Sequence, residues 1–200
     1  MLDLKTMISV GSSLLIVLGG GLYYWRLESS LNQTLETELF AAEQTQFPLV
    51  YDHQASGVSL TYSPDWQLSL PKQKSTTIAQ FIPQKADSLI IAPEVKIEVS
   101  PAKTDSLDQH TTNFVYQITK LPQVKIIDSR PVEFADNNGH KIIYTLVDPN
   151  NGLELKYLQA WTIKNNLVYT MTYHAAIEDY PEFVEVVEQD MFKSLQINLN

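Results

Sequence analysis

The chain has 200 residues, 44% of them apolar and 18% charged, enough for one folded domain of ordinary size with a further segment beside it. Its net charge of -9 and pI near 4.8 argue against a nucleic-acid surface, which needs clustered Lys and Arg. The absence of cysteine excludes a disulfide, a lipidated cysteine, thiol catalysis and a thiolate zinc site.

Residues 7–25, MISVGSSLLIVLGGGLYYW, carry no charge. At the helical rise of ~1.5 Å per residue such a run crosses a hydrocarbon layer of roughly 30 Å. It reads as a single-pass transmembrane helix. Tyr23, Tyr24 and Trp25 close it as membrane-interface residues, because a ring with one polar atom prefers the headgroup layer of the bilayer. A cleavable secretory signal is the rival reading, and the length of the run and the lack of an Ala-x-Ala site weigh against it. Lys5 stands before the span, whereas Glu28, Glu36, Glu38 and Glu43 come after it, so the charge bias leans toward a cytoplasmic amino terminus and a luminal, periplasmic or extracellular domain.

Residues 1–25 are thus assigned to the anchor, 26–54 to a helical stalk and linker, and 55–200 to the folded domain. Leu27, Leu31, Leu35 and Leu39 recur one helical turn apart in the stalk. This stripe suits a coiled-coil seam, a contact with the domain or a face resting on the membrane. Pro48 ends the helical tendency, and residues 44–56 read as linker.

In the domain, Val58, Leu60 and Tyr62 alternate as on a half-buried strand. Ser63-Pro64-Asp65 makes a turn, and Trp66, Leu68 and Leu70 restart the alternation, with Trp66 as core. Strands are expected again at 77–82 and 95–99. Between Asp105 and Leu121 the period lengthens to about 3.6: Ser106 can cap, and Leu107, Thr111, Phe114, Ile118 and Leu121 share one face. Short strands at 124–128 and 132–134 come next, then an Asn137-Asn138-Gly139 turn. Longer strands at 140–147, 153–163 and 167–174 complete an antiparallel meander, joined at Asp148–Gly152 and Lys164–Asn166. A closing helix over 179–194 has Pro181 in its first turn and turns Phe183, Val184, Val187, Met191, Phe192 and Leu195 inward. The expected fold class is α+β, an antiparallel sheet packed by helices. Tyr62, Trp66, Phe114, Trp161, Phe183 and Phe192 are its expected core aromatics.

Chemistry is sparsely marked. No His-Glu-x-x-His, phosphate-binding glycine loop or Gly-x-Ser-x-Gly elbow is present, and the chain is read as non-enzymatic and without a cofactor. His53, His110, His140 and His174 are far apart in sequence; His110 reaches Asp136 or His140 only if the fold brings them together. Glu178, Asp179, Glu182, Glu185 and Glu188 crowd the closing helix. Three readings stay open there: a solvated face, a cation site, or an acidic face that steers association with a basic partner.

The stretch Tyr62-Ser-Pro-Asp-Trp66, the run Asn-Leu-Val-Tyr-Thr-Met-Thr-Tyr-His-Ala-Ala at 166–176 and the ending Phe192-Lys-Ser-Leu-Gln-Ile197 together resemble the PsbP-like family over residues 55–198. The resemblance implies an α/β/α sandwich and a non-enzymatic accessory domain near a membrane, often in the thylakoid lumen, that assists photosystem II assembly or stability. Its implied partners are the photosystem II core or an assembly intermediate, beside the lipid bilayer and no nucleic acid. The chain departs from the cyanobacterial lipoprotein form in having no cysteine for lipid, and such domains also occur on other anchored proteins. The alternative is an extracytoplasmic ligand-binding or sensor domain of a bacterial envelope protein unrelated to photosynthesis. The expected location is the thylakoid or plasma membrane, with a single span and the domain on the luminal or periplasmic side.

Overall fold

The computed structural model describes residues 47–71, 75–149 and 151–198, and these fall in one compact unit beginning at Phe47. The anchor at 7–25, with Tyr23, Tyr24 and Trp25, and the leucine stripe at 27–39 lie outside the described residues. Among the described residues no helix is long and apolar enough to cross a membrane.

In chain order the elements are β1 (Leu49–His53), β2 (Val58–Tyr62), β3 (Trp66–Ser69), β4 (Thr77–Pro83), a 3-10 turn (Gln84–Ser88), β5 (Glu94–Pro101) and α1 (Leu107–Ile118). After these come β6 (Lys125–Phe134), β7 (Asn137–Val147), β8 (Glu154–Lys164), β9 (Leu167–Ala176), α2 (Tyr180–Val186) with a π-helical turn (Val187–Phe192), and β10 (Gln196–Ile197). Seven strands form one antiparallel sheet in the order β3-β4-β5-β9-β8-β7-β6; β1-β2-β10 form a second. This is the expected α+β class. The segment Leu49–His53, read from sequence as linker, is a strand: Tyr51 buries its ring, and its hydroxyl donates to the Ile78 carbonyl at 2.9 Å.

Two cores lie on opposite faces of the large sheet. Leu158, Ala160, Tyr169, Met171 and Tyr173 pack toward the small sheet and α2, whereas Trp161 and Val168 pack beneath α1 with Leu107, Phe114 and Ile118. Adjacent residues point to opposite faces of a strand, so β8 and β9 bury both alternating sets. α1 forms where the period predicts. Ser106 is its N-cap, accepting a hydrogen bond from the Gln109 amide, and Asp108 stands in the first turn where the helix dipole favours a negative charge.

The meander departs from expectation at one hairpin. Residues 124–128 and 132–134 belong to one strand, β6, which tolerates Pro131 because it is an edge strand and shifts register between Ile126 and Asp128. Its turn to β7 is Ala135-Asp136, both with positive φ (53° and 56°), as a type I′ turn demands, and not Asn137-Asn138-Gly139. Gly139 lies within β7, where an added Cβ would come to 2.7 Å from the Trp161 carbonyl oxygen and 2.8 Å from the Phe134 Cβ. Close approach, not turn geometry, is what requires glycine there. Asn165-Asn166, with φ 51° and 61°, makes the β8–β9 turn where the sequence places it.

The closing helix is also less regular than its pattern. Phe183, Val187, Met191 and Leu195, spaced by four, are all buried. In a uniform α-helix residues four apart drift around the axis, because a turn takes ~3.6 residues. The wider π turn at 187–192 slows that drift and keeps Met191 and Leu195 on the sheet. Burying a large side chain is worth roughly 1.5–3 kcal/mol. That exceeds about 1 kcal/mol for a backbone hydrogen bond made poorly in an irregular turn.

Gly139→Ala is expected to lower stability by about 1–3 kcal/mol in urea unfolding, since both close neighbours sit on strand backbones that cannot give way. A variant as stable as the parent would show that the β6–β7 hairpin shifts freely.

Candidate functional site

Four of the sequence-marked aromatics are buried and two half-buried, each paired with another ring. Tyr62 meets Phe81 with centroids 4.9 Å apart, Trp66 meets Phe183 edge-on at 6.0 Å, Phe114 meets Trp161 at 4.7 Å, and Phe192 meets Phe134 at 5.0 Å. Trp161 is fully buried, and its Nε1 donates to the Thr111 hydroxyl at 3.0 Å, which locks α1 to the sheet.

His110 and His140 meet around that same tryptophan. Their rings lie 6.5 Å and 5.2 Å from Trp161, and His140 Nε2 also pairs with the Ser129 hydroxyl at 2.9 Å. Burial pushes both imidazoles below their ordinary range, with Lys103 adding to the effect at His110 and Asp128 opposing it at His140. Clefts flank α1 here. One of about 680 Å3 lies against the β6–β7 hairpin, lined by Ser106, Asp108, Thr111, Glu133, Asn138 and His140. A smaller one, about 400 Å3, lies on the side of His110, Phe114 and Val168. Their groups are hydrogen-bonding and mostly uncharged.

Farther along the same sheet face, a ladder of rings crosses three strands and ends on a carboxylate from a fourth. Tyr144 stacks on Tyr157 at 4.9 Å, Tyr157 on His174 at 5.2 Å, and His174 Nε2 lies 3.9 Å from a Glu94 oxygen that Lys96 approaches at 3.8 Å. Beside it, the Tyr144 hydroxyl donates to Gln159 Oε1 and Gln159 Nε2 donates to Thr172. Burial lowers the His174 pKa; Glu94 opposes this and Lys96 adds to it.

The acidic residues of the closing segment are not equivalent. Glu178, Glu182 and Glu185 are exposed and Asp179 half-buried, but Glu188 accepts a hydrogen bond from Lys141 Nζ at 2.9 Å. Lys141 is only 9% exposed, so this carboxylate is committed to a buried cation. Among the described residues no three His, Asp or Glu side chains converge as a metal ion would need. Glu178 and Asp179 also line a groove of about 460 Å3 at the end of the sheet, with Leu89, Ile90, Leu153 and Glu154. No sequence signal could have found this groove, because it is assembled from three distant loops.

No protein-family model matches the chain, and no curated protein is similar to it in sequence. Solved structures are similar in fold. Cyanobacterial PsbP from Synechocystis, in its solution structure, superposes with a TM-score of 0.56 at 13% identity, covering 76% of this chain and 92% of that one. LpqN of Mycobacterium tuberculosis, described as involved in cell envelope biogenesis, superposes at 0.61 with 12% identity, covering 76% and 91%. The fold is PsbP-like.

In this PsbP-like domain two side-chain arrangements carry measurable consequences. Removing the Glu188 charge leaves Lys141 buried without its partner, so Glu188→Gln is expected to cost about 1–2 kcal/mol in urea unfolding, discounted for the half-exposed carboxylate. A loss within error would show that Lys141 is hydrated.

For His174 the lowered pKa sets the sign of the pH effect. The unfolded chain, with an ordinary pKa near 6.5, takes up the proton more readily than the folded domain. The contribution of His174 is therefore full above that value and lost as pH falls through it toward the folded value. His174→Phe keeps the stack on Tyr157 and removes the proton. Between about pH 7.5 and about pH 5 its urea midpoint should fall less than the parent's. Equal falls would place the titration elsewhere.

Proposed function

We propose that the chain is a membrane-tethered, non-enzymatic accessory protein whose PsbP-like domain stands on the luminal or periplasmic side and binds another protein of a membrane complex, photosystem II being the favoured partner. The observation that carries this reading is the fold shared with nearly the whole of cyanobacterial PsbP. Two sequence features support it: the uncharged run at 7–25, which would hold the domain beside its partner and raise the local concentration, and the exposed carboxylates Glu178, Glu182 and Glu185, which favour a basic surface.

A second reading, an envelope ligand-binding or sensor domain, rests on the likeness to LpqN together with the cleft of about 680 Å3 against α1. Its hydrogen-bonding lining suits a polar small molecule.

The discriminating experiment is affinity purification of the tagged full-length chain from gently solubilised native membranes, at low and moderate salt, with mass spectrometry of the copurifying proteins. Recovery of photosystem II core or assembly-intermediate subunits is expected, lost when residues 55–198 are deleted and kept when the anchor is exchanged. Their absence from membranes that demonstrably contain photosystem II would count against the first reading and favour the second.

A further inference from the structure

We propose that the groove at the β7–β8 hairpin end of the large sheet is the docking site for a basic, aliphatic segment of the partner protein. This rests on the reading above that the domain binds a protein, and names the surface and the chemistry of what it takes.

The groove joins apolar walls to an acidic rim. Leu89, Ile90, Leu153 and Ile177 line it; Ile90 is 85% exposed and Ile177 39%, so two branched side chains meet water in one depression. Aliphatic side chains gathered in a concave site are a surface that gains by being covered. The rim carries Glu154, Glu178 and Asp179, and among the described residues no Lys, Arg or His lines the groove. None of the three carboxylates is in an ion pair among the described residues. Lys156, the cation two positions along β8 from Glu154, holds its ammonium 4.3 Å from the centre of the Tyr180 ring.

The walls are already in place. The Ile177 amide donates to the Glu154 carbonyl at 2.9 Å, extending the β8–β9 ladder by one bond, and the Asp179 amide donates to Ala176 at 3.0 Å. On the opposite wall Gly152 donates to Asp148 and Asp148 to Leu153, both at 2.8 Å. A ligand entering such a groove orders little backbone, so less of its contact energy is lost.

Charge complementarity selects the occupant. An anionic bilayer, or a second copy of this chain with its net -9, would bring like charge to the three carboxylates. A Lys or Arg side chain does the reverse: its methylene stem lies along Ile90 and Ile177 while its charged head reaches the rim. A neighbouring branched aliphatic residue fills the remaining apolar space.

A benzoylphenylalanine photo-crosslinker at Ile90 tests this in the full-length chain in native membranes, with the adduct sequenced by mass spectrometry. The same group at Tyr116, exposed on α1, is the control. The expected adduct is to a protein segment carrying Lys or Arg beside aliphatic residues, absent from the Tyr116 control. Glu154→Lys with Glu178→Lys, both at exposed positions, should reduce it roughly tenfold without changing the melting temperature. An adduct to lipid, to a second copy, or to an uncharged or acidic segment overturns the proposal. So does an adduct indifferent to the double charge reversal, or none at all. Copurification of a membrane complex without an Ile90 adduct defeats this inference alone, whereas loss of copurification defeats the reading on which it rests.

Discussion

β8 and β9 must be covered on both faces, and the remaining elements answer that requirement. The two strands pair along their whole length and place Ala160 and Met171 on one side, Trp161 and Val168 on the other. A sheet with one wet face would leave one of these sets in water. α1 covers the Trp161 side on the chain's way from β5 to the far edge at β6, and the small sheet with α2 covers the other. Trp161 fastens the first of these layers by packing on Phe114 and by its hydrogen bond to Thr111. Phe183, Val187, Met191 and Leu195 fasten the second, at the expense of helical regularity.

This arrangement decides where binding can occur. With the centre of the sheet closed, recesses open at its margins: beside α1, and at the hairpin end where three loops meet. The ladder of Tyr144, Tyr157 and His174 occupies the open part of the α1 side, but both faces of the Tyr157 ring are taken by its neighbours. It is a cross-strand brace, since a planar ligand would have to displace one of those rings. The charge pattern obeys the same division. Glu188 neutralises a lysine at the edge of the core, whereas Glu178, Glu182 and Glu185 face water.

Strands and helices were readable wherever one interaction controlled the local pattern. Val58, Leu60 and Tyr62 alternate because one face is buried, and the 3.6-residue period of α1 reports its contact with Trp161. Reading failed where two interactions competed. Gly139 looks like a turn residue, but its lack of a side chain serves close packing against Trp161 and Phe134, while Ala135 and Asp136 adopt the left-handed turn instead. Leu49–His53 is only five residues long and lies beside Pro48, so its strand character emerges only through pairing with β2. The closing segment's carboxylates were visible as a run, but which of them are free depends on Lys141, far away in sequence. The meeting of His110 and His140 at Trp161 was equally hidden, because it depends on how α1 lies across the sheet.

The placement of β2 governs when the domain can finish folding. β2 pairs with β1 at the start of the compact unit and with β10 at its end, where Ile197 lies opposite Val58 and the Asn198 amide reaches the Gly57 carbonyl at 2.7 Å. Lys164 adds a hydrogen bond to the Ile197 carbonyl at 2.7 Å. The small sheet therefore cannot close until residue 197 has been synthesised and released, because its third strand does not exist before then. Such long-range closure is slow and leaves Val58 and Leu60 without part of their cover in the meantime. A chain emerging amino terminus first therefore carries this edge unfinished from the synthesis of β2 until β10 arrives.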